Sequence, residues 1–265
     1  MKKLVTLLIL IIVILAGCGT SESSSSGDKT VKIAITDSEL YNTIIKHVQE
    51  KVEKEGVELD IVYMSDWNIF NQALANKEID LNFYQTRQFL KNANEVNGWD
   101  LVPIAATYDN NRGYFSTKYK TLEELPDGAT VTIPTDPVNN GHALYVLQEG
   151  GLIKLKEGVG FQGSQRDIIE NKKNLNLVEV DFQMIPNMIE DSDLSFLSGY
   201  YIVQAGFTLD DALVLGGHHE EFIMILAARE DNKDDEIIQK VAEAFESEDT
   251  KKLMREKYPI EITWP

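Results

Sequence analysis

Residues with the types and spacing for catalysis are scarce in this chain of 265 residues. It contains no Gly-x-Ser-x-Gly elbow, no glycine-rich phosphate loop and no His-Glu-x-x-His pair, and it has one cysteine. The paired acids Glu123-Glu124 and Asp210-Asp211 lie in polar stretches typical of helix starts and solvated turns. The sequence therefore predicts a protein that is not an enzyme and uses no cofactor.

Metal binding has one candidate run, His218-His219-Glu220-Glu221, because the remaining histidines, at 47 and 142, are scattered. Adjacent histidines point to opposite faces of a strand and diverge on a helix, so both rarely bind one ion. We therefore expect this run to form a solvated loop, with metal capture as the alternative, and we predict no metal site.

The single cysteine, Cys18, follows an apolar run over residues 4–16 that Lys2 and Lys3 precede. This run suits a signal peptide and is shorter than the roughly 20 residues of a membrane-spanning helix. Residues 15–18, Leu-Ala-Gly-Cys, resemble the lipobox of bacterial lipoproteins, in which the cysteine is lipidated and becomes the mature N-terminus. The alternatives are a cleaved signal with a free cysteine and an uncleaved anchor.

The lipobox interpretation divides the start of the chain into a signal peptide over 1–17 and a serine-rich, flexible tether over 18–30. Two lipid chains on Cys18 would hold the protein stably at the cell membrane, on its extracytoplasmic side. Removal of residues 1–17 takes away Lys2 and Lys3 and no acidic residue, so the formal net charge of -18 becomes -20 on the mature chain, and no basic run follows the first three residues. Nucleic-acid binding is therefore not expected, since it needs clustered Lys and Arg.

The first part of the body alternates strands and helices. We expect a strand over 31–35, a helix that Ser38 or Asp37 caps and Gly56 ends, a strand over 59–64, a short helix over 69–75 and an apolar strand over 79–84. This βαβαβ order predicts a parallel sheet covered by helices.

The alternation continues at greater length through the rest of the chain. The predicted helices cover residues 88–96, 139–148, 185–190, 235–246 and 250–257; the predicted strands cover 101–107, 113–116, 131–133, 175–180 and, as the last strand, 222–228. A further segment over 194–201 is left without an assigned type.

Several phrases, in order along the chain, resemble the NlpA/MetQ family of methionine-binding lipoproteins, which deliver substrate to bacterial ABC importers. They include SDW at 65–67, IDLN at 79–82, WDLVP at 99–103, LEELPDGATV at 122–131, IPTDP at 133–137, GLIKLK at 151–156 and VEVD at 178–181. The resemblance implies a two-lobed α/β, periplasmic-binding-protein-like fold with a hinge and an interlobe ligand cleft. It places 31–108 in lobe 1, 109–200 in lobe 2, and 201–265 in a return to lobe 1.

The residues at the family's pocket positions depart from its pattern. The family's Phe-Gln-His reads Tyr84-Gln85-Thr86 here, and its Tyr-Pro before the second lobe reads Asn110-Asn111, followed by Arg112. The family's Asp-Pro-x-Asn survives as residues 136–139, ending in Asn139. The arginine that binds the amino-acid carboxylate in the family is His142 in this chain, and the family's Asn-Gly-Asn-Tyr reads Ser-Gly-Tyr-Tyr over 198–201.

The lost arginine matters because a guanidinium is permanently charged, whereas an imidazole with a pKa near 6.5 is charged only conditionally. Arg112 is the candidate that restores the charge; the alternative is an ion pair at the surface or between the lobes. The predicted ligand-binding residues are Tyr84, Asn110, Arg112, Asn139, His142 and Tyr200. Tyr84 and Tyr200 could instead be core aromatics, and Asn139 a helix cap.

The expected function is that of a lipid-anchored substrate-binding component of an ABC importer in the methionine-uptake family. Its ligand would be methionine or, given the pocket substitutions, a related small amino-acid-like solute. Its partners would then be the permease and ATPase complex and the membrane. The alternative is a surface lipoprotein with a protein-interaction role that has lost ligand binding.

Overall fold

The computed structural model describes residues 29–264. Lobe 1 begins with strands and helices that alternate along the chain. Its elements are β1 (Thr30–Ile35), α1 (Glu39–Val52), β2 (Glu58–Tyr63), α2 (Trp67–Ala75), β3 (Leu81–Thr86), α3 (Arg87–Asn97) and β4 (Val102–Asn110). Strand β1 pairs in parallel with β2 and with β3. The parallel sheet predicted from the βαβαβ order is confirmed.

Local sequence signals set the bounds of these elements. The Ser38 side chain accepts a hydrogen bond from the Tyr41 backbone N–H at 3.4 Å and caps α1. Gly56, with φ of 78°, ends the short 3-10 turn after α1, where a left-handed conformation favours glycine. Along β1, Val31, Ile33 and Ile35 enter one core cluster and Ala34 enters another, because successive side chains point to opposite faces of a sheet.

Lobe 2 is built on a second, five-stranded sheet. Its elements are β5 (Arg112–Phe115), β6 (Thr130–Pro134), α4 (Pro137–Glu149), β7 (Ile153–Leu155), β8 (Ile168–Asn171), β9 (Asn176–Val180), β10 (Leu194–Ser198), α5 (Tyr200–Gln204) and β11 (Val214–Leu215). The sheet has the order β11-β5-β10-β6-β9, and β7 pairs with β8 as a separate hairpin. Its core is a third cluster, which contains Phe196, Leu144 and Ile202.

The chain then returns to lobe 1 with β12 (Ile223–Ala228), α6 (Glu236–Glu246), α7 (Glu248–Lys257) and β13 (Ile262–Thr263). The completed first sheet has the order β13-β4-β12-β3-β1-β2, with β12 antiparallel to both β3 and β4. The two lobes, the crossovers between them and the cleft confirm the predicted two-lobed fold class.

The predicted return to lobe 1 at residue 201 is wrong. Tyr201 and Ile202 are buried in the core of lobe 2, and Val214 and Leu215 pair with Tyr114 and Gly113 of β5. The return therefore begins after β11, which is too short to show a strand pattern in sequence. At the other crossover, β4 stays in the first sheet through Asn110, two residues beyond the predicted end of that part of lobe 1.

Three further elements differ from the sequence predictions. The segment 222–228 is not the last strand, because β13 follows it and pairs with β4. The predicted helix over 185–190 is a 3-10 helix over Phe182–Met188, with Pro186 inside it. The β7–β8 hairpin was not predicted, because its strands are short and a turn-rich segment separates them.

The predicted signal peptide over 1–17, Cys18 and the tether up to residue 28 lie outside the described residues. Within residues 29–264, no helix combines the length and the apolar character that crossing a membrane requires.

Candidate ligand-binding cleft

A cavity of about 80 Å³ lies between the two lobes. The carboxyl ends of β1 and β3 face it from lobe 1, as is usual for ligand sites in open α/β sheets. The structure brings together around this cavity all six residues that the sequence singled out: Tyr84, Asn110, Arg112, Asn139, His142 and Tyr200.

Arg112 opens β5 and forms a buried ion pair with Asp109 of β4. Both side chains are almost fully buried, with exposed fractions of 4% and 2%. The second carboxylate oxygen of Asp109 accepts a hydrogen bond from His218 Nδ1 at 2.8 Å. Burial lowers the pKa of Arg112 and the carboxylate of Asp109 raises it again, which keeps the guanidinium charged. The charge is therefore present at the cleft and already neutralised by a partner.

His142 lies on α4 beside this guanidinium. Arg112 Nη1 donates to His142 Nδ1 at 3.2 Å, and the imidazole stacks on Phe222 with ring centres 3.6 Å apart. Burial lowers the pKa of His142 far below its usual value, and the charge of Arg112 and the nearby His219 lower it further. The ring is neutral at pH 7, so it accepts a hydrogen bond from Arg112. The protonated imidazole considered from the sequence does not form.

Asn139 is held in place by Asp136, the residue that caps α4. The Asp136 carboxylate accepts hydrogen bonds from the Asn139 backbone N–H at 2.9 Å and from its side-chain amide at 3.0 Å. Burial raises the pKa of Asp136, and the hydrogen bonds from Asn139 lower it in part. The residue that caps α4 is thus Asp136, not Asn139. The side-chain oxygen of Asn139, Oδ1, is left as an acceptor at the cleft.

The lobe 1 side of the cleft carries three buried polar atoms with no hydrogen-bond partner among the described residues: Thr36 Oγ1, Trp67 Nε1 and the Tyr84 hydroxyl. Tyr84 is 6% exposed and stacks on Phe70 at 4.1 Å. Burial raises its pKa, so the hydroxyl keeps its proton. The sequence reasoning missed Thr36 and Trp67, although the position of Thr36 directly after a strand of a parallel sheet could have indicated it.

Behind Tyr84, three amides form a closed network in the core of lobe 1. Asn71 and Gln85 exchange two hydrogen bonds of 2.7 Å, and Asn82 donates to Asn71 at 3.0 Å and accepts from Gln85 at 2.9 Å. Because every amide has partners, the network fixes the orientation of β3 next to the cleft.

Two neighbouring residues complete the lobe 2 side. Gly199 has φ of 57°, and a Cβ there would lie 2.7 Å from Asn110 Oδ1. Only glycine at position 199 therefore allows the backbone to lie this close to the Asn110 side chain. Tyr200 packs on Tyr201 with ring centres 4.3 Å apart, and partial burial raises the pKa of its hydroxyl.

The sequence predicted a solvated loop for His218 and His219. In the structure both side chains make contacts within the protein. His218 reaches Asp109, whereas His219 packs 4.6 Å from the ring of Phe161 and 5.7 Å from that of Tyr145. The loop crosses between the lobes and therefore packs against both. No group of three or more His, Cys, Asp or Glu side chains in the described part of the chain could hold a metal ion.

Two α/β lobes, two crossovers and a cleft that presents one guanidinium, amides, hydroxyls and aromatic rings define a substrate-binding protein fold. The family can be stated as well: the chain belongs to the NlpA lipoprotein family, whose model matches residues 31–263.

Known proteins match this chain over most of their own length. The D-methionine-binding lipoprotein MetQ of Salmonella typhimurium is 34% identical over 240 residues, which are 89% of this chain and 87% of that protein. A putative methionine-binding lipoprotein of Bacillus subtilis superposes with a TM-score of 0.84 at 28% identity, over 91% of this chain and 99% of its own. A nutrient-binding protein of Burkholderia cenocepacia bound to methionine gives a TM-score of 0.81 at 28% identity, over 89% of this chain and 98% of its own.

Proposed function

We propose that this protein is the substrate-binding component of an ABC importer of the methionine-uptake family. Its ligand is methionine or, in preference, a related amino-acid-like solute. The observation that carries the proposal is the set of three unpartnered buried groups, Thr36 Oγ1, Trp67 Nε1 and the Tyr84 hydroxyl, on the lobe 1 side of the cleft.

Unpartnered buried groups are costly unless a ligand satisfies them. Each costs about 1–3 kcal/mol when it lacks a hydrogen bond. Three in one cleft fit a pocket that a polar solute fills, and they do not fit a cleft that has lost ligand binding. This weighs against the interaction-only reading of the sequence.

Arg112 is the residue we assign to the solute's carboxylate. A guanidinium has five N–H groups, of which those directed at Asp109 and His142 use only part. The charge reaches the cleft from β5, whereas His142 on α4 occupies the position of the family's arginine. We expect this shift to alter the pose of the ligand head and hence the preferred solute.

Lobe closure would carry the signal to the transporter. Trp67 of lobe 1 meets Phe182 of lobe 2 edge-to-face at 6.2 Å, and Gln183 Nε2 donates to the Ser65 carbonyl at 3.4 Å. A solute held by both lobes favours this closed arrangement, which the permease and ATPase complex would distinguish from an open one.

A thermal-shift screen of the full-length protein in detergent, against amino acids, methionine derivatives and short peptides, tests the proposal. A solute at one hundred times its Kd should add about 2.7 kcal/mol to the free energy of unfolding. Stabilisation by micromolar free L-methionine would contradict an altered preference. Absence of stabilisation by every solute would contradict ligand binding altogether and favour a protein-interaction role.

Lipid attachment at Cys18, with the body on the extracytoplasmic side of the cell membrane, is the second part of the proposal. Cys18→Ala should release the protein from the membrane fraction, with Ser25→Ala in the tether as the matched control. Continued lipid labelling of Cys18→Ala would contradict this assignment.

A further inference from the structure

The segment over 216–219, which we call the return strap, carries the chain from lobe 2 back towards lobe 1 and crosses directly over Arg112. The Gly216 backbone N–H donates to the Arg112 carbonyl at 3.0 Å. A Cβ at Gly216 would lie 3.2 Å from Arg112 Cγ and 2.8 Å from a methyl carbon of Val146, so the return strap lies against the Arg112 side chain as well. This course brings His218 to the carboxylate that pairs with Arg112.

The Asp109 carboxylate joins a buried cation to an exposed imidazole. One of its oxygens accepts from Arg112 Nη2, and the other accepts from His218 Nδ1 at 2.8 Å. The side chains of Asp109 and Arg112 are 2% and 4% exposed, whereas that of His218 is 55% exposed. Because a carboxylate only accepts, His218 Nδ1 holds a proton in this contact, and a second proton would add at Nε2. Solvent can therefore change the charge beside an ion pair that it does not reach.

The charges around Arg112 balance only while His218 is neutral. The guanidinium and the Asp109 carboxylate then cancel, and the buried imidazole of His142 carries no charge. A proton on His218 leaves one surplus positive charge. Because Arg112 and Asp109 are buried, water screens this surplus only in part. A solute carboxylate at the cleft supplies the negative charge that is then missing.

The other ionisable groups near His218 cannot take the place of Asp109. The neighbouring imidazole of His219 packs on Phe161 and Tyr145 instead of on a carboxylate. The remaining charged side chains near the return strap are exposed, so water and salt screen them. They are Glu149 at the end of α4, Glu220 and Glu221 on the segment that follows the return strap, and Arg87, Lys91 and Glu95 on α3, which packs against that segment.

We propose that His218 is a positioning residue for solute binding: its protonation draws the Asp109 carboxylate away from Arg112 and leaves more of the guanidinium charge for the carboxylate of the solute. Affinity for the solute therefore rises as the pH falls, and by reciprocity solute binding favours uptake of a proton. This inference rests on the proposed function, in which Arg112 meets the solute carboxylate.

Calorimetric titration of the full-length protein in detergent with L-methionine, over the range from pH 8 to about pH 5.5 in which histidine side chains change charge, tests the inference. The zwitterion of L-methionine does not titrate in this range. We expect L-methionine to bind about fivefold more tightly at the acid end, the effect of one partly screened charge. Titration in two buffers of different ionisation enthalpy should show uptake of part of a proton on binding.

The outcomes of this titration separate the inference from the proposed function. Binding with a flat pH profile and no proton uptake would overturn the role of His218 and leave the proposed function standing. Absence of binding at every pH, up to millimolar L-methionine, would overturn both.

Variants locate the proton. His218→Asn keeps an N–H group for the Asp109 carboxylate but does not titrate, so the pH profile should become flat at the affinity that the wild type shows near pH 8. His219→Asn on the return strap should keep the fivefold change. His47→Asn is the matched control, because His47 Nε2 also lies near a carboxylate, 3.3 Å from Asp249 Oδ2, but does not line the cleft. A fivefold change that persists in folded His218→Asn would place the proton elsewhere and overturn the inference; proton uptake by the wild type tests it even if this variant folds poorly.

Discussion

The two sides of the cleft differ in how their polar groups are satisfied. On the lobe 2 side, Arg112 is paired with Asp109 and His142 before any ligand binds, and Asn139 is paired with Asp136. On the lobe 1 side, the Tyr84 hydroxyl and its two neighbours, Thr36 Oγ1 and Trp67 Nε1, have no partner among residues 29–264. The paired side sets the geometry of the charge, and the unpaired side provides the groups that a ligand must satisfy.

Removal of the charge on the lobe 2 side should have the largest effect. Arg112→Met leaves the Asp109 carboxylate buried, with His218 as its remaining partner, so we expect the free energy of unfolding to fall by about 3–5 kcal/mol. Chemical denaturation measures this loss.

The double variant Asp109→Asn/Arg112→Met is the control for the prediction on Arg112→Met. It removes both buried charges, so it should recover most of the lost stability without recovering ligand binding. Equal destabilisation of the single and double variants would show that the unpaired Asp109 carboxylate is not the cause of the loss in Arg112→Met.

A change at the glycine beside Asn110 should have the next largest effect. Gly199→Ala places a Cβ 2.7 Å from Asn110 Oδ1 at a φ of 57°, so we expect a loss of about 2–3 kcal/mol together with weaker ligand binding. Gly206→Ala is the control, because Gly206 has φ of 83° but no atom within 4 Å of the added Cβ. Identical losses in thermal denaturation would mean that the contact with Asn110 contributes nothing.

His142 should make stability depend on pH. Because its pKa is lowered in the folded protein, the unfolded chain takes up a proton below about pH 6.5 that the folded chain does not. The free energy of unfolding should therefore fall as the pH drops below 6.5, by at most about 1.4 kcal/mol per pH unit from this residue. His142→Phe should flatten the curve by that amount; an unchanged slope would contradict a neutral, buried imidazole.

Two tyrosines allow a matched comparison of paired and unpaired hydroxyls. Tyr114 donates to the Ala143 carbonyl at 2.9 Å, so Tyr114→Phe should cost about 1 kcal/mol of stability and leave ligand binding unchanged. Tyr84→Phe removes an unpartnered hydroxyl, so it should leave the ligand-free stability equal or slightly higher and weaken ligand binding about tenfold. A stability loss in Tyr84→Phe equal to that in Tyr114→Phe would show that the Tyr84 hydroxyl has a partner within the protein.

Much of lobe 1 could be predicted from local periodicity. The apolar positions of α1 follow helical spacing, Ser38 marks its start, and Gly56 marks the end of the 3-10 turn that follows it. By contrast, β11 and β13 have two residues each and exist only because a partner strand lies beside them. No local pattern reports such pairing, which is why the return to lobe 1 was placed too early.

Among the cleft residues as well, residue types could be read from the sequence, whereas contacts between distant positions could not. The sequence identified Arg112 and His142 separately, but their contact joins positions 30 residues apart on different elements. The hydrogen bond between His218 and Asp109 spans 109 residues. Trp67 was missed because what distinguishes it is the absence of a partner after folding, and residue type does not show that. Thr36 could have been identified, since it directly follows a strand of the parallel sheet.

Our central claim is that the guanidinium of Arg112 binds the ligand carboxylate at the cleft. Calorimetric titration of the wild type and the Asp109→Asn/Arg112→Met variant, with L-methionine and L-methioninamide, tests it most directly. We predict that the wild type prefers the carboxylate by about a hundredfold and that the variant does not distinguish it from the carboxamide. Retention of the carboxylate preference in the folded variant would contradict the claim.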